Sequence, residues 1–174
     1  MSLSMSAVAT QSFLQTLTAL SKILDKASAH CAAKKIDQAV LLQTRLTPDM
    51  FPFVKQVQIT CDFAKNTLGR LTGEPPKYPD DEKSLDDLKA RIAKTIDYVK
   101  SFKDADIDAL QEKDVTFPVG PQNTMTLKGA QYVLAFALPN FYFHATMAYA
   151  ILRAEGISLG KPDYLQHLGM PEQL

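Results

Sequence analysis

Few residues in this chain have both the type and the setting for chemistry. It carries three histidines, His30, His144 and His167, and two cysteines, Cys31 and Cys61. His144 is the most informative. Asn140, His144, Met147 or Ala148, and Ile151 step by four and three through an apolar segment, the spacing that stacks side chains on one face of a helix. A face of that kind turns inward, where an amide or imidazole left without a partner costs on the order of 1–3 kcal/mol. Asn140 and His144 therefore require partners. Two arrangements supply them: an internal hydrogen-bond network, or a metal or substrate site built between helices that face each other across a bundle interior.

The other candidates are plainer. His30 flanks the apolar stripe of the first helix near its C-terminal end, a place for packing or for capping by a protonated ring. His167 lies in the tail between Gln166 and Leu168, and its neighbours assign it no role. Cys31 and Cys61 belong to no CxxC or Cys/His ligand spacing and read as buried thiols of a reducing cytoplasm. No GxGxxG, P-loop, HExxH or GxSxG motif is present, so phosphate cradling and serine-hydrolase chemistry have no support. Nineteen basic side chains balance nineteen acidic ones, which argues against a nucleic-acid partner or an acidic membrane surface. The N-terminal run MSLSMSAVATQSFLQTL lacks a basic region and a compact apolar block, and a cytoplasmic location is expected.

The elements that must hold these residues can be read from periodicity. A chain of 174 residues is expected to form a single domain, residues 1–174, that buries about two-thirds of its unfolded surface. Phe13, Leu17, Leu20, Leu24, Ala27 and Cys31 mark helix one, from Ala7 to Lys34, and a short helical stretch follows over 37–43. Thr47-Pro48-Asp49 has the composition of a helix start and is expected to open helix two. Its stripe is Val54, Val57, Cys61, Ala64, Leu68 and Leu71, stopped by Gly73, Pro75 and Pro76. Ser84 and Asp87 resemble a capping box for helix three, whose stripe Leu85, Leu88, Ile92, Ile96 and Val99 runs out near Phe102.

Val115, Phe117 and Val119 alternate with polar neighbours, as do Met125 and Leu127 beyond Gly120-Pro121-Gln122-Asn123, which predicts a small β-hairpin. Helix four is expected from Lys128 to Ala154, kinked or interrupted at Pro139 and ended by Gly156. It has no charge between Lys128 and Arg153, a length that could cross a bilayer. Pro139, Asn140 and His144 in its middle, with no second span to shelter them, instead predict the central helix of a bundle and no membrane partner. The tail, Ile157 to Leu174, is expected to lie across the bundle.

The run PNFYFHATMAYAILRAEGISLG resembles the final helix of the DinB/YfiT-like superfamily. LTPDMFPFVKQVQITCDFAKN, ALPNFYFHATMAYAILRAEG and LGKPDYL resemble an uncharacterised domain-of-unknown-function branch of it, and the likeness extends over nearly the whole chain. The resemblance implies an all-α four-helix bundle of up-down-down-up topology, here with the small β-hairpin between helices three and four. It also implies a homodimer and, in many members, a divalent metal held by three histidines. Two of those histidines sit four apart on the last helix and the third on helix two. By this resemblance His144 matches the second of the pair, Asn140 stands at the first, and Asp62 is the nearest match to the third.

An amide oxygen is a much poorer ligand than imidazole for zinc or nickel. The resemblance thus implies either a degenerate metal site of Asp62, Asn140 and His144, completed by water or Gln58, or a hydrogen-bonded cluster in which Asp62 pairs with His144. The second, without a cofactor, is the expectation. Characterised relatives include thiol S-transferases and isomerases whose metal lowers the pKa of a bound thiol or water. In that alternative, a metal-dependent enzyme acting on small thiols or electrophiles, His144 is ligand or general base, Asp62 orients it, and Tyr142 and Tyr149 donate to an oxyanion. A third reading makes Phe141 to Phe143 an apolar pocket for a small-molecule ligand, or a dimer face.

Overall fold

Residues 3–169 are described here from a computed structural model. Ser4 caps α1 (Met5–Lys34) by accepting from the Ala7 N–H at 3.1 Å, and the helix ends at Lys35, whose φ of 55° is left-handed. After α2 (Gln38–Gln43) the chain turns before it becomes helical again. The expected start of helix two at Thr47-Pro48 is not where the helix begins: α3 spans Phe53–Thr72. Thr47 instead donates through Oγ1 to Asp49 at 2.7 Å, and Met50 N–H bonds Thr47 O at 3.1 Å, closing a turn. The reason lies in Pro52. In a helix begun at Pro48 its ring would press on the carbonyl four residues back, so Pro52 becomes the N-cap and the helix follows it.

Ser84 opens α4 (Leu85–Lys100) as expected, its Oγ accepting from Asp87 N–H at 3.1 Å, while the Asp87 carboxylate accepts from Lys83 N–H at 2.9 Å. After α5 (Asp104–Asp108), β1 (Asp114–Val119) pairs antiparallel with β2 (Asn123–Lys128), Phe117 opposite Met125, through a turn in which Gly120 takes a φ of +74°. Val115 and Phe117 are buried, whereas Met125, on the same face opposite Phe117, is exposed, so the first strand carries the hairpin's buried apolar residues.

α6 (Gly129–Gln131), a π-helical turn (Tyr132–Ala137) and α7 (Leu138–Ala154) run on as one helix. Pro139 does not break it. Proline offers no N–H to the carbonyl of Ala135 and its ring crowds that oxygen; the preceding turn widens to π geometry and the axis continues. Asn140 helps, donating from Nδ2 to Phe136 O at 2.8 Å.

Four long helices close a ring in which α3 packs on α7 and α4, and α1 packs on α4 and α7. This is the four-helix, hairpin-bearing bundle that the sequence predicts. Phe13 of α1 meets Phe141 of α7 edge-on at 4.9 Å in the core. The hairpin seats Phe117 against Tyr132 and Phe136, at 4.7 and 4.4 Å between ring centroids, and the Tyr132 hydroxyl accepts from Arg70 at 3.0 Å. The central helix, however, is α3 rather than helix four: no residue from Phe53 to Leu71 is exposed, whereas Tyr142, Phe143 and Thr146 of α7 are. The tail through Gly169 lies along α1, where α8 (Lys161–Tyr164) pairs Asp163 with Lys26 at 2.6 Å; the end of the expected 157–174 tail, 170–174, lies outside the described residues. No helix among the described residues is long and apolar enough to cross a membrane.

Removing a buried aromatic ring of this size leaves a cavity that the surroundings fill only in part. Phe117→Ala should cost about 3–5 kcal/mol in urea denaturation, because the ring is the hairpin's anchor on the bundle; an unchanged midpoint would mean that the hairpin packs without it.

Candidate functional site

Successive residues of a helix point about 100° apart, so neighbours in sequence serve different seams. On α3 this separates two polar sets. Gln56, Thr60, Phe63 and Thr67 form one row, and Gln58, Asp62 and Lys65 form another.

The first row meets α7. His144 Nδ1 lies 2.7 Å from Gln56 Oε1, and Gln56 Nε2 donates to Phe51 O at 3.2 Å. The imidazole stacks on Phe63 with centroids 5.9 Å apart and planes at 15°, and Phe143 stands edge-on to it at 5.2 Å. Burial pulls the pKa of His144 down from 6.5 to about 4, so the ring is neutral at neutral pH. Asn140, one turn earlier, spends its amide N–H on the carbonyl of Phe136.

The second row meets α4 and the irregular strap 74–84 that joins α3 to it. Asp62 Oδ1 accepts from Arg91 Nη2 at 2.9 Å and lies 3.2 Å from Lys65 Nζ. Arg91 also donates through Nη1 to Pro79 O at 2.7 Å and Glu82 Oε1 at 2.8 Å, and reaches Asp80 at 3.1 Å. Gln58 Nε2 binds the other oxygen of Glu82 at 2.7 Å, and Lys55 pairs with Asp80. Lys94 sits 4.1 Å above the Tyr78 ring. An open cavity of about 440 Å³ lies between strap and helix, lined by Tyr78, Pro79, Glu82, Lys83, Arg91 and Lys94 among others. Beneath, the Cys61 thiol is pushed up to about 12 by burial and is inert as a nucleophile.

The sequence-derived site residues are thus parted. His144 and Asn140 share the α7 seam, but Asp62 belongs to the Arg91 cluster, and the expected pairing of Asp62 with His144 is not formed; the residue of α3 that faces His144 is Gln56. Gln58, offered as a fourth ligand, serves Glu82 instead. Tyr149 accepts from Arg153 at 3.3 Å, and Tyr142 packs edge-on against Phe141, itself a core residue and no part of a surface patch. His30 is half-buried beside Cys31 and Ile36, and His167 is exposed in a 3₁₀ turn. Among the described residues, no three His, Cys, Asp or Glu side chains are grouped to hold a metal ion. Gln56 was findable: it shares the row of Thr60 and Thr67, three polar residues on an otherwise apolar flank, all nearly inaccessible.

Residues 5–165 match the family described as Domain of unknown function (DUF1993). The crystal structure of a DinB family member protein from Shewanella denitrificans is similar over 92% of this chain and 90% of that one, with 39% identity and a TM-score of 0.83. No curated protein matches the chain. Fold and likeness together define a DinB-like helical domain of unknown function. Within that class, the chain belongs to the DUF1993 family.

Two outcomes follow from the geometry. Arg91→Ala leaves Glu82, a nearly buried carboxylate, without its cation and should destabilise the fold by about 3–5 kcal/mol, with the strap 74–84 becoming the first site of limited proteolysis; resistance there would show that the strap is held by other contacts. His144 gives a pH signature. Between pH 6.5 and about 4 the unfolded chain binds a proton at this ring that the folded chain refuses, so its contribution lowers stability as pH falls through that window and is flat above it. Urea denaturation of the wild type and His144→Gln should therefore diverge on acidification, the wild type losing more; a pH-independent difference would contradict the buried neutral ring.

Proposed function

We propose that this protein is a homodimeric binding bundle rather than an enzyme, in which a His144–Gln56 hydrogen bond, with Asn140 turned back on its own helix, takes the place of the metal site that the resemblance implies. The observation that carries the reading is that Asp62, the carboxylate in line to be a ligand, is held by Arg91 and Lys65 on a different seam from His144 and Asn140. His144 Nδ1 is engaged by Gln56, Asn140 by Phe136 O, and Asp62 by Arg91 and Lys65. Recruiting Asp62 to a metal beside His144 would strip Arg91, a 5% exposed cation, of one of its three carboxylates. The dimeric part of the reading is supported by Leu134 and Tyr142, large apolar side chains that the bundle leaves 59% and 38% exposed.

Elemental analysis of protein purified without chelator or metal-affinity resin tests this, alongside His144→Ala and light scattering. The expected result is no stoichiometric divalent metal in either protein, a dimer mass, and a loss of about 1–3 kcal/mol in the variant, whose Gln56 amide is left unpaired. About one zinc or nickel per chain, lost in His144→Ala, would overturn the reading in favour of a metal-dependent enzyme on small thiols or electrophiles; a monomer would overturn its dimeric part.

A further inference from the structure

Gln56 can orient its amide in only one way. Phe51 O is a carbonyl oxygen and only accepts, so the amide nitrogen must face it, and the amide oxygen is turned to His144 Nδ1. An amide oxygen cannot donate. Nδ1 therefore carries the proton of the neutral ring, and Nε2 is left with its lone pair. The flipped ring is excluded by the same contact, since it would set a carbon 2.7 Å from Gln56 Oε1.

Nε2 is also open. Among the described residues it has no hydrogen-bond partner, and the buried side-chain atoms without one are Arg91 Nε and Gln166 Oε1, so solvent reaches it. Its surroundings are aromatic. One face of the imidazole lies on Phe63, and Phe143, at its edge, is 53% exposed. An acceptor beside an uncovered aromatic ring suits a donor on a flat apolar body, which forms the bond and shields the ring together. A carboxylate or phosphate would instead set its own lone pairs against that of Nε2.

We propose that His144 Nε2 is an acceptor site for the hydroxyl or N–H of a small ligand with a flat apolar body, phenol being the simplest, and that Gln56 is the positioning residue that holds the imidazole in its Nδ1–H form. This rests on the reading of the cluster as metal-free.

The test is two-bond ¹⁵N–¹H NMR of the imidazoles at neutral pH, assigned with His144→Gln, in wild type, Gln56→Leu and Gln56→Glu, with phenol as probe. The wild type should show a protonated Nδ1 and a pyridine-type Nε2 whose shift moves saturably with phenol. Gln56→Leu should release the ring toward the Nε2–H form and weaken phenol binding roughly fivefold, one neutral hydrogen bond's worth. Gln56→Glu, which keeps an acceptor, should retain the Nδ1–H form. An Nε2–H ring in the wild type, or a Gln56→Leu ring unchanged, overturns the positioning role. A pyridine-type Nε2 that ignores phenol overturns the acceptor site. An Nε2 signal that shifts on adding chelator defeats the metal-free reading instead, and leaves the tautomer assignment standing.

Discussion

No residue of α3 from Phe53 to Leu71 is exposed, and the molecule is organised around the need to satisfy what that helix carries inward. A helix rich in polar residues can be buried all round only if every seam against it offers partners, because an unpaired amide or charge in the interior costs more than its packing returns. α7 supplies His144 for Gln56, and α4 supplies Arg91 for Asp62. The hydroxyls of Thr60 and Thr67 fold back on their own helix, to Gln56 O and Phe63 O.

The strap between α3 and α4 belongs to the same constraint. A short connection between these neighbours would leave one flank of α3 in water. The longer one crosses that flank, its Pro75 so close to Gly69 that a Cβ there would lie 2.5 Å from the proline Cα. Arg91 then ties two segments to one planar cation on α4: Asp62 from α3, and Asp80, Glu82 and Pro79 O from the strap. A buried ion cluster of this kind adds little net stability over an apolar one, but each of its bonds has a fixed direction, and together they admit one placement of the strap.

On the opposite seam the chemistry is set by a proline. Pro139 widens the turn before it, and Asn140 turns its amide back to a carbonyl of that turn, so the first of the two inward polar positions of α7 is consumed by the backbone. His144 alone faces α3. What that seam presents is a single half-buried neutral imidazole set against an amide.

The sequence by itself determined the bundle: the four apolar stripes, the Ser84 cap, the alternation of Val115 and Phe117, and the inward pairing of Asn140 with His144 all follow from periods of 3.6 and 2, which local geometry imposes. What it left open were choices between near-equals. Thr47-Pro48 reads as a helix start by local composition, and only the steric demand of Pro52, four residues on, moves the start beyond it. Asp62 and Gln56 are both polar residues of α3, six positions apart, and which of them faces α7 depends on the rotation of α3 in the bundle. That rotation is decided by packing against α4, α7 and the strap at once, a sum of long-range contacts that no local period contains. The tertiary structure therefore assigned the partner of His144, and with it the character of the site.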